Sequence, residues 1–329
     1  TFTATAATPS ATDITVTTSA PGIQTTITAP VSVRPITTYT TNIRADILDS
    51  THTTVRKFHV DMFPMFASRK IYISNNAFAL STPLFNYLEK YDFPCTEQLV
   101  SRTLPYILQP DNSVWGTTYE KSSTQIAQTI ATLQTRQNSD GSFALWDTRT
   151  PDYSDGFSSR TADLTAYVVQ MLLLARENGF NVPDSMLARG TDFLRTFLSS
   201  TIDTHEMARS ASFATYVVTM SGYVTTAYID KIQDYADQNI KNWESTLMGA
   251  YIATSYHLMH QDDFANDLIA KYNTSKSNTA DNAIYMFLSS KYFDIAPQPD
   301  KSTLKYLNDG NYDSYTSAMI VLGLNAELG

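Results

Sequence analysis

Two regimes of hydrophobic patterning divide the chain near residue 80. Before it, apolar and polar residues alternate in short Thr-, Val- and Ile-rich runs: Ile14–Thr18, Thr25–Thr28 and Val31–Arg34, then Thr38–Ile47, Arg56–Met62 and Lys70–Ser74. Period two with β-branched residues predicts strands. Pro21, Gly22, Pro30 and Pro35 mark the breaks between them. The first run, Phe2–Ala6, begins without a leader, as expected of a piece of a larger β-rich protein. After Leu80 apolar residues recur at three and four. That period predicts helices over Pro83–Glu89, Cys95–Leu108, Ser122–Arg136, Thr161–Asn178, Asp184–Leu198 and His205–Met220, followed by Thr226–Gln238, Trp243–His257, Asp262–Tyr272, Thr279–Lys291 and Ser314–Leu324.

The helical part carries an internal echo. Asp140-Gly141-Ser142-Phe143 precedes one long helix and Asp309-Gly310-Asn311-Tyr312 precedes the last. In each, Gly suits a positive-φ turn and the aromatic plugs the core behind it. Several helices start with Ser, Thr or Asp and pass through small residues to bulky ones, as in Thr161–Val169, Glu244–Tyr251 and Thr279–Tyr285. Hairpins of this kind stack as an open solenoid or close on themselves. The repeats are too few and too irregular for a long solenoid, so a mainly α fold with a closed α/α toroid is expected, preceded by an all-β portion.

Composition narrows the function. A net charge of -9 with scattered Lys and Arg leaves no basic stripe for nucleic acid or an anionic membrane surface. The longest apolar run, Val168–Ala175, is less than half a membrane span, so direct membrane insertion is not expected. One cysteine excludes an internal disulfide and a multi-cysteine metal site. His257 and His260 near Asp262 and Asp263 read as helix-end dipole partners rather than metal ligands, and the acids of Asp152–Asp155 as a solvated loop. Neither a metal nor a cofactor is expected.

The chemistry gathers at Cys95, in Tyr91-Asp92-Phe93-Pro94-Cys95-Thr96-Glu97-Gln98 at the start of a predicted helix. A helix N-terminus favours a thiolate and lowers its pKa. Gln98 is three positions on, so sulfur and side-chain carboxamide share a face. Attack of the thiolate on the Gln98 Cδ with loss of ammonia gives an internal thioester, an acyl group ready for transfer. Glu97 is placed to handle the proton that ammonia carries away. The plain alternative is a buried small hydrophobe followed by two good helix formers.

These residues resemble the thioester domain of the alpha-2-macroglobulin and complement C3 family, and its bacterial alpha-2-macroglobulin branch most of all. The likeness rests on Cys95-Thr96-Glu97-Gln98, on Asp140-Gly141-Ser142-Phe143-Ala144-Leu145-Trp146 and on Leu164-Thr165-Ala166-Tyr167-Val168. It implies that residues 79–329 form the thioester-containing toroid, 34–78 the first part of a CUB-type β domain, and 1–33 the end of a macroglobulin-like β-sandwich. It makes Cys95 the thiol, Gln98 the acyl donor and Tyr91 the shield that keeps water from the bond. Pro94 departs from the family's usual Gly, and Asp92 from a frequent Pro.

Members that prefer hydroxyl targets carry a histidine between the Asp-Gly-x-Phe turn and the Leu-Thr-Ala helix. Residues Ala144–Ala162 contain none, and the five histidines stand at 52, 59, 205, 257 and 260. Direct attack by lysine amines is therefore the expected reaction. The resemblance implies a single-turnover covalent protease trap rather than an enzyme, with target proteases and the remaining macroglobulin and CUB domains as partners, in the periplasm or outside the cell. Two other readings are weighed beside it. One is a toroid that binds or scaffolds without a thioester. The other is a toroid enzyme akin to terpene cyclases and prenyltransferases, whose Asp-x-Asp-Asp motif and Cys, His and Asp zinc site are both missing.

Overall fold

The computed structural model describes residues 3, 5, 10–33, 44–46, 71–91, 95–147, 158–295 and 299–326. The chain divides into two compact units, Thr1–Ile73 and Ser74–Gly329.

In the first unit, β1 (Ser10–Ala20) and β2 (Ile23–Val33) pair antiparallel, with Ala20 opposite Ile23 and Ser10 opposite Val33. The Pro21-Gly22 pair makes the two-residue turn. One face is a threonine ladder, in which the Thr15 and Thr28 hydroxyls meet at 3.2 Å and those of Thr17 and Thr26 at 3.2 Å. The other carries Ile14, Val16 and Ile27, all exposed. Two of the predicted runs are thus one strand: Pro30 does not break β2 but sits inside it opposite Asp13. A proline has no N–H for a ladder, yet among the described residues β2 pairs on one side only, which leaves an edge to accept it. The expected strand at Lys70–Ser74 does not form over residues 71–74, where Ile71 and Ile73 are exposed. Nor do residues 44–46 form one; the rest of Thr38–Ile47, and all of Arg56–Met62, lie outside the described residues.

The described residues of the second unit are mainly helical, with two isolated β-bridges: α1 (Ser81–Glu89), α2 (Thr96–Leu108), α3 (Tyr119–Gln134), α4 (Ser159–Glu177), α5 (Asp184–Ser199), α6 (His205–Met220), α7 (Thr226–Asn239), α8 (Leu247–Leu258), α9 (Asp262–Ile269), α10 (Thr279–Phe293), α11 (Lys301–Asp309) and α12 (Ser314–Ala326). Neighbour contacts run α2 to α4, α4 to α6, α6 to α8, α8 to α10, α10 to α12, and from α12 back to α2. The even-numbered helices therefore close a ring, and α3, α5, α7, α9 and α11 pack against its outside. Sequence accounts for which helices go where. In α8 every residue from Leu247 to Tyr256 is buried, and in α12 every residue from Ser317 to Leu324, as inner helices require. By contrast α7 buries only Ile229, Ile232 and Ala236, a single stripe facing inward. Small residues set the inner spacing. A Cβ on Gly323 of α12 would lie 2.5 Å from the Ala283 carbonyl of α10.

Several helix ends shift by two or three residues from those expected, as at the start of α3 and the end of α9, and two elements differ more deeply. The predicted Trp243–His257 helix is a 3-10 turn over Trp243–Ser245 followed by α8, because the Thr246 side chain accepts from the Met248 N–H and restarts the helix. And α11 is additional to the predicted set. It is short and polar, burying only Thr303 and Leu307, so its periodic signal is faint, but Asp300 caps it by accepting from the Thr303 N–H at 2.9 Å. No described helix is long and apolar enough to cross a membrane.

Candidate functional site

The first turn of α2 is built around Cys95. Its backbone is extended (φ -67°, ψ 162°), which makes it the N-cap, and a reciprocal capping box follows. The sulfur faces the Gln98 backbone N–H, while the Gln98 side-chain Oε1 folds back to accept from the Cys95 N–H at 3.3 Å. Carboxamide and thiol thus occupy one turn. The Gln98 Nε2 in turn donates to the Tyr91 hydroxyl at 3.4 Å. Tyr91 is steadied by an edge contact with Tyr87, whose own hydroxyl donates to the Tyr312 carbonyl at 2.9 Å. Three of the four residues singled out in the sequence, Tyr91, Cys95 and Gln98, are brought together.

Glu97 faces elsewhere. Its Oε1 accepts from Ser101 at 2.7 Å, and Ser314, the first residue of α12, donates to Oε1 and Oε2 at 3.1 Å each. Ser101 also meets the Tyr167 hydroxyl at 3.0 Å. Burial raises the Glu97 carboxyl above its ordinary value; the two serine hydroxyls pull it back and nearby Asp313 pushes it further up.

The expected lowering of the Cys95 thiol pKa is corrected. Half-burial pushes the thiol up, and that effect outweighs the backbone N–H groups of Gln98 and Glu97 and the charge of Arg136, all of which pull it down; Glu97 adds to the rise. A helix N-terminus helps an anion only as far as its own N–H groups reach, and desolvation opposes it.

A second segment locks the turn from outside. The Thr96 N–H donates to the Leu145 carbonyl at 2.9 Å, and its hydroxyl donates to Ala144 O at 2.6 Å. Arg136 Nη1 donates to the Thr96 hydroxyl at 3.1 Å and to Leu145 O at 3.2 Å. The Asp-Gly-x-aromatic turn sets this segment in place. The Asp140 carboxylate accepts from the Ser142 N–H, and the Phe143 N–H donates to Thr165 in α4 at 3.0 Å, with the ring buried. Gly141 has φ +95° and a Cβ there would lie 2.1 Å from the Arg189 carbonyl, so only glycine fits.

Beside the turn, a cavity of about 810 Å³ opens among the N-terminal ends of inner helices. Glu97, Leu145, Tyr167, Arg209, Tyr251 and Tyr315 are among its walls. Glu97 and, through Thr96, Leu145 therefore connect the Cys95 turn with the cavity.

Thr96, Ser101, Arg136, Tyr167 and Ser314 were not singled out from the sequence. Ser101 stands four residues after Glu97, a spacing that carries a signal. Arg136 and Ser314 arrive from 40 and 217 residues away, and nothing local announces them. Among the described residues no group of three or more His, Cys, Asp or Glu is placed to hold a metal. His257 Nδ1 instead pairs with Asp262 at 2.8 Å, and His205 packs edge-on against Tyr235. None of His205, His257 and His260 lines the cavity; His52, His59 and the Asp152–Asp155 loop lie outside the described residues.

No family model matches the chain. Single relatives do. An alpha-2-macroglobulin homolog of Yersinia pestis is 29% identical over 323 residues, covering 91% of this chain and 16% of that protein. Alpha-2-macroglobulin of Rickettsia conorii is 27% identical over 255 residues, covering 76% of this chain and 13% of that protein. The chain thus spans about a sixth or less of these relatives' length. Among solved structures, native Escherichia coli alpha-2-macroglobulin from domain MG7 to the C-terminus superposes with a TM-score of 0.59 at 20% identity, over 75% of this chain and 42% of that one. Salmonella alpha-2-macroglobulin reacted with methylamine gives 0.58 at 19% identity over 75% and 17%. Trypsin-activated Escherichia coli alpha-2-macroglobulin gives 0.55 at 19% over 71% and 17%. Similar in sequence over most of its length, and in fold to structures that include those proteins' C-terminal region, the chain fits the bacterial alpha-2-macroglobulin family.

Proposed function

We propose that this chain carries the thioester segment of a bacterial alpha-2-macroglobulin-like protease inhibitor. The observation behind the reading is the capped turn in which the Gln98 carboxamide folds onto Cys95 under the Tyr91 hydroxyl. Bond formation joins Cys95 sulfur to the Gln98 Cδ; the C–N bond breaks, and the thiol proton leaves with the amide nitrogen as ammonia. Capture is the reverse kind of exchange. A neutral lysine amine attacks the Gln98 Cδ, the C–S bond breaks, and an isopeptide bond and a Cys95 thiol remain. Glu97, with its raised carboxyl and an open side toward the cavity, takes up and returns the proton. Tyr91 covers the acyl carbon against water until the protein is activated.

The partners in this reading are proteases, in keeping with a related protein solved in a trypsin-activated form, and direct aminolysis is in keeping with another reacted with methylamine. The chain acts once and is not an enzyme; no cofactor takes part. Residues 79–329 are read as the thioester toroid, 34–78 as the opening of a CUB-type β domain and 1–33 as the end of a macroglobulin-like domain, with the remaining domains of that architecture as further partners. The location read from the family is periplasmic or secreted.

Intact mass of the unreduced chain, before and after methylamine, together with titration of the Cys95 thiol, tests the reading. A mass low by one ammonia, a silent thiol, and one methylamine added with one thiol released are the expected results. A full mass with a thiol that titrates from the start would favour the thioester-less scaffold.

A further inference from the structure

Arg136 follows the C-cap of α3 and turns inward, leaving only 7% of the residue exposed. Its Nη1 donates to the Thr96 hydroxyl at 3.1 Å and to the Leu145 carbonyl at 3.2 Å, and its guanidinium lies 6.0 Å from the centre of the Trp146 ring. Its Nε is buried and has no hydrogen-bond partner among the described residues. Both acceptors are neutral. A buried cation whose hydrogen bonds run to neutral oxygens, with one N–H unused and Asp147 as its carboxylate neighbour, is poorly compensated for its lost hydration and favours an anion that forms nearby. Thr96, its main anchor, is the residue bonded to Cys95.

We propose that Arg136 is a positioning residue for the leaving group, holding a fixed positive charge that stabilises the Cys95 thiolate released when an amine takes the Gln98 acyl group. This rests on the thioester reading above. In that step the amine nitrogen bonds to the Gln98 Cδ, the C–S electron pair departs on sulfur, and the proton lost by nitrogen passes to water or to Glu97. A thiolate leaves faster the lower the pKa of its thiol. Both hydrogen bonds leave one nitrogen, Nη1, and with the Trp146 ring 6.0 Å away they hold the charge beside the Cys95 turn.

Among the described residues, the charged groups acting on this pair are Glu97 and Asp147. Glu97 pushes the Cys95 thiol up and Arg136, the smallest of the influences on it, pulls it down, while Asp147 bears on Arg136. The sign follows: removing Arg136 raises the thiol's midpoint, and removing Asp147 lets the guanidinium act on sulfur with less competition and lowers it.

The experiment reads the free thiol, so it works whether or not the thioester forms. The whole chain, treated with methylamine, is alkylated with iodoacetamide across a pH range in the parent, R136Q, R136K and D147N, with circular dichroism melts alongside. R136Q is expected to move the alkylation midpoint upward, slowing reaction at neutral pH about tenfold for each unit moved; R136K stays nearer the parent and D147N moves downward. Where the thioester is present, methylamine uptake slows in R136Q in the same order. An unmoved midpoint in folded R136Q overturns the proposal. Should R136Q not fold, an unmoved midpoint in D147N does so. Failure of the thioester reading itself shows separately, as a parent chain of full mass that takes up no methylamine.

Discussion

Glu97 and Gln98 are adjacent, yet the helix sends their side chains to different tasks. Gln98 folds onto the Cys95 N–H, and Glu97 is held by Ser101 and Ser314 at the edge of the cavity. The pairing of Cys95 with Gln98 was legible because i and i+3 share a face at any helix start. Of the two hydroxyls on Glu97, Ser101 stands at a helical spacing, but Ser314 was not legible, since it comes from 217 residues away. The raised Glu97 carboxyl has a stability consequence. Its folded value lies above its ordinary 4.5, so the unfolded chain gives up this proton first and the group's contribution falls as pH rises from about 4.5 through the folded value. Glu97→Gln has no proton to lose and still accepts from the serines. Its melting temperature relative to the parent is expected to rise across that window, and a relative fall would contradict the assignment. Gly141 tests the supporting turn. Gly141→Ala sets a Cβ against the Arg189 carbonyl at φ +95° and is expected to cost about 1–3 kcal/mol or more in chemical denaturation.

At the scale of elements, long inner helices announced themselves through burial on every side, and His205–Met220 was read from sequence with the boundaries the structure shows. The misread elements are those where a side chain outweighs periodicity. Thr246 restarts a helix that the apolar pattern runs straight through, and Asp300 starts α11 where the pattern is almost silent. Pro30, read as a strand break, is absorbed by a two-stranded sheet. The cap matters most for α11, which has little else to hold it. Asp300 accepts from the Thr303 N–H and hydroxyl at 2.9 Å each and from Asn282 Nδ2 at 2.7 Å, tying α11 to α10. Asp300→Ala is expected to cost about 1–2 kcal/mol, and hydrogen exchange should show α11 amides opening before those of the inner ring. Uniform protection in the variant would mean that packing, not the cap, holds the helix.

For the toroid as a whole, closure depends on close approach of inner helices. Gly323 lets α12 reach α10, and α12 then contacts α2 to complete the ring. Gly323→Val would force these helices apart and is expected to lower stability by about 1–3 kcal/mol. Because α2 depends on α12 for one of its two flanking inner neighbours, the same variant should also accelerate alkylation of Cys95, a readout a local defect in α10 would leave unchanged. A closed toroid was legible because the helical hairpins are too few and too irregular for a long solenoid. The residue that would complete the leaving-group site, Arg136, was not, because a lone arginine after a helix looks in sequence like any solvated side chain.

The bond between Ser314 and Glu97 spans 217 residues. Contacts so distant in sequence are slow to form, because the loop between them must close first. Until α12 docks against α2, the Glu97 carboxylate has Ser101 but not Ser314 as a hydroxyl partner. A local capping turn can start α2 by itself, but the neighbourhood of Cys95 is finished only when the ring closes.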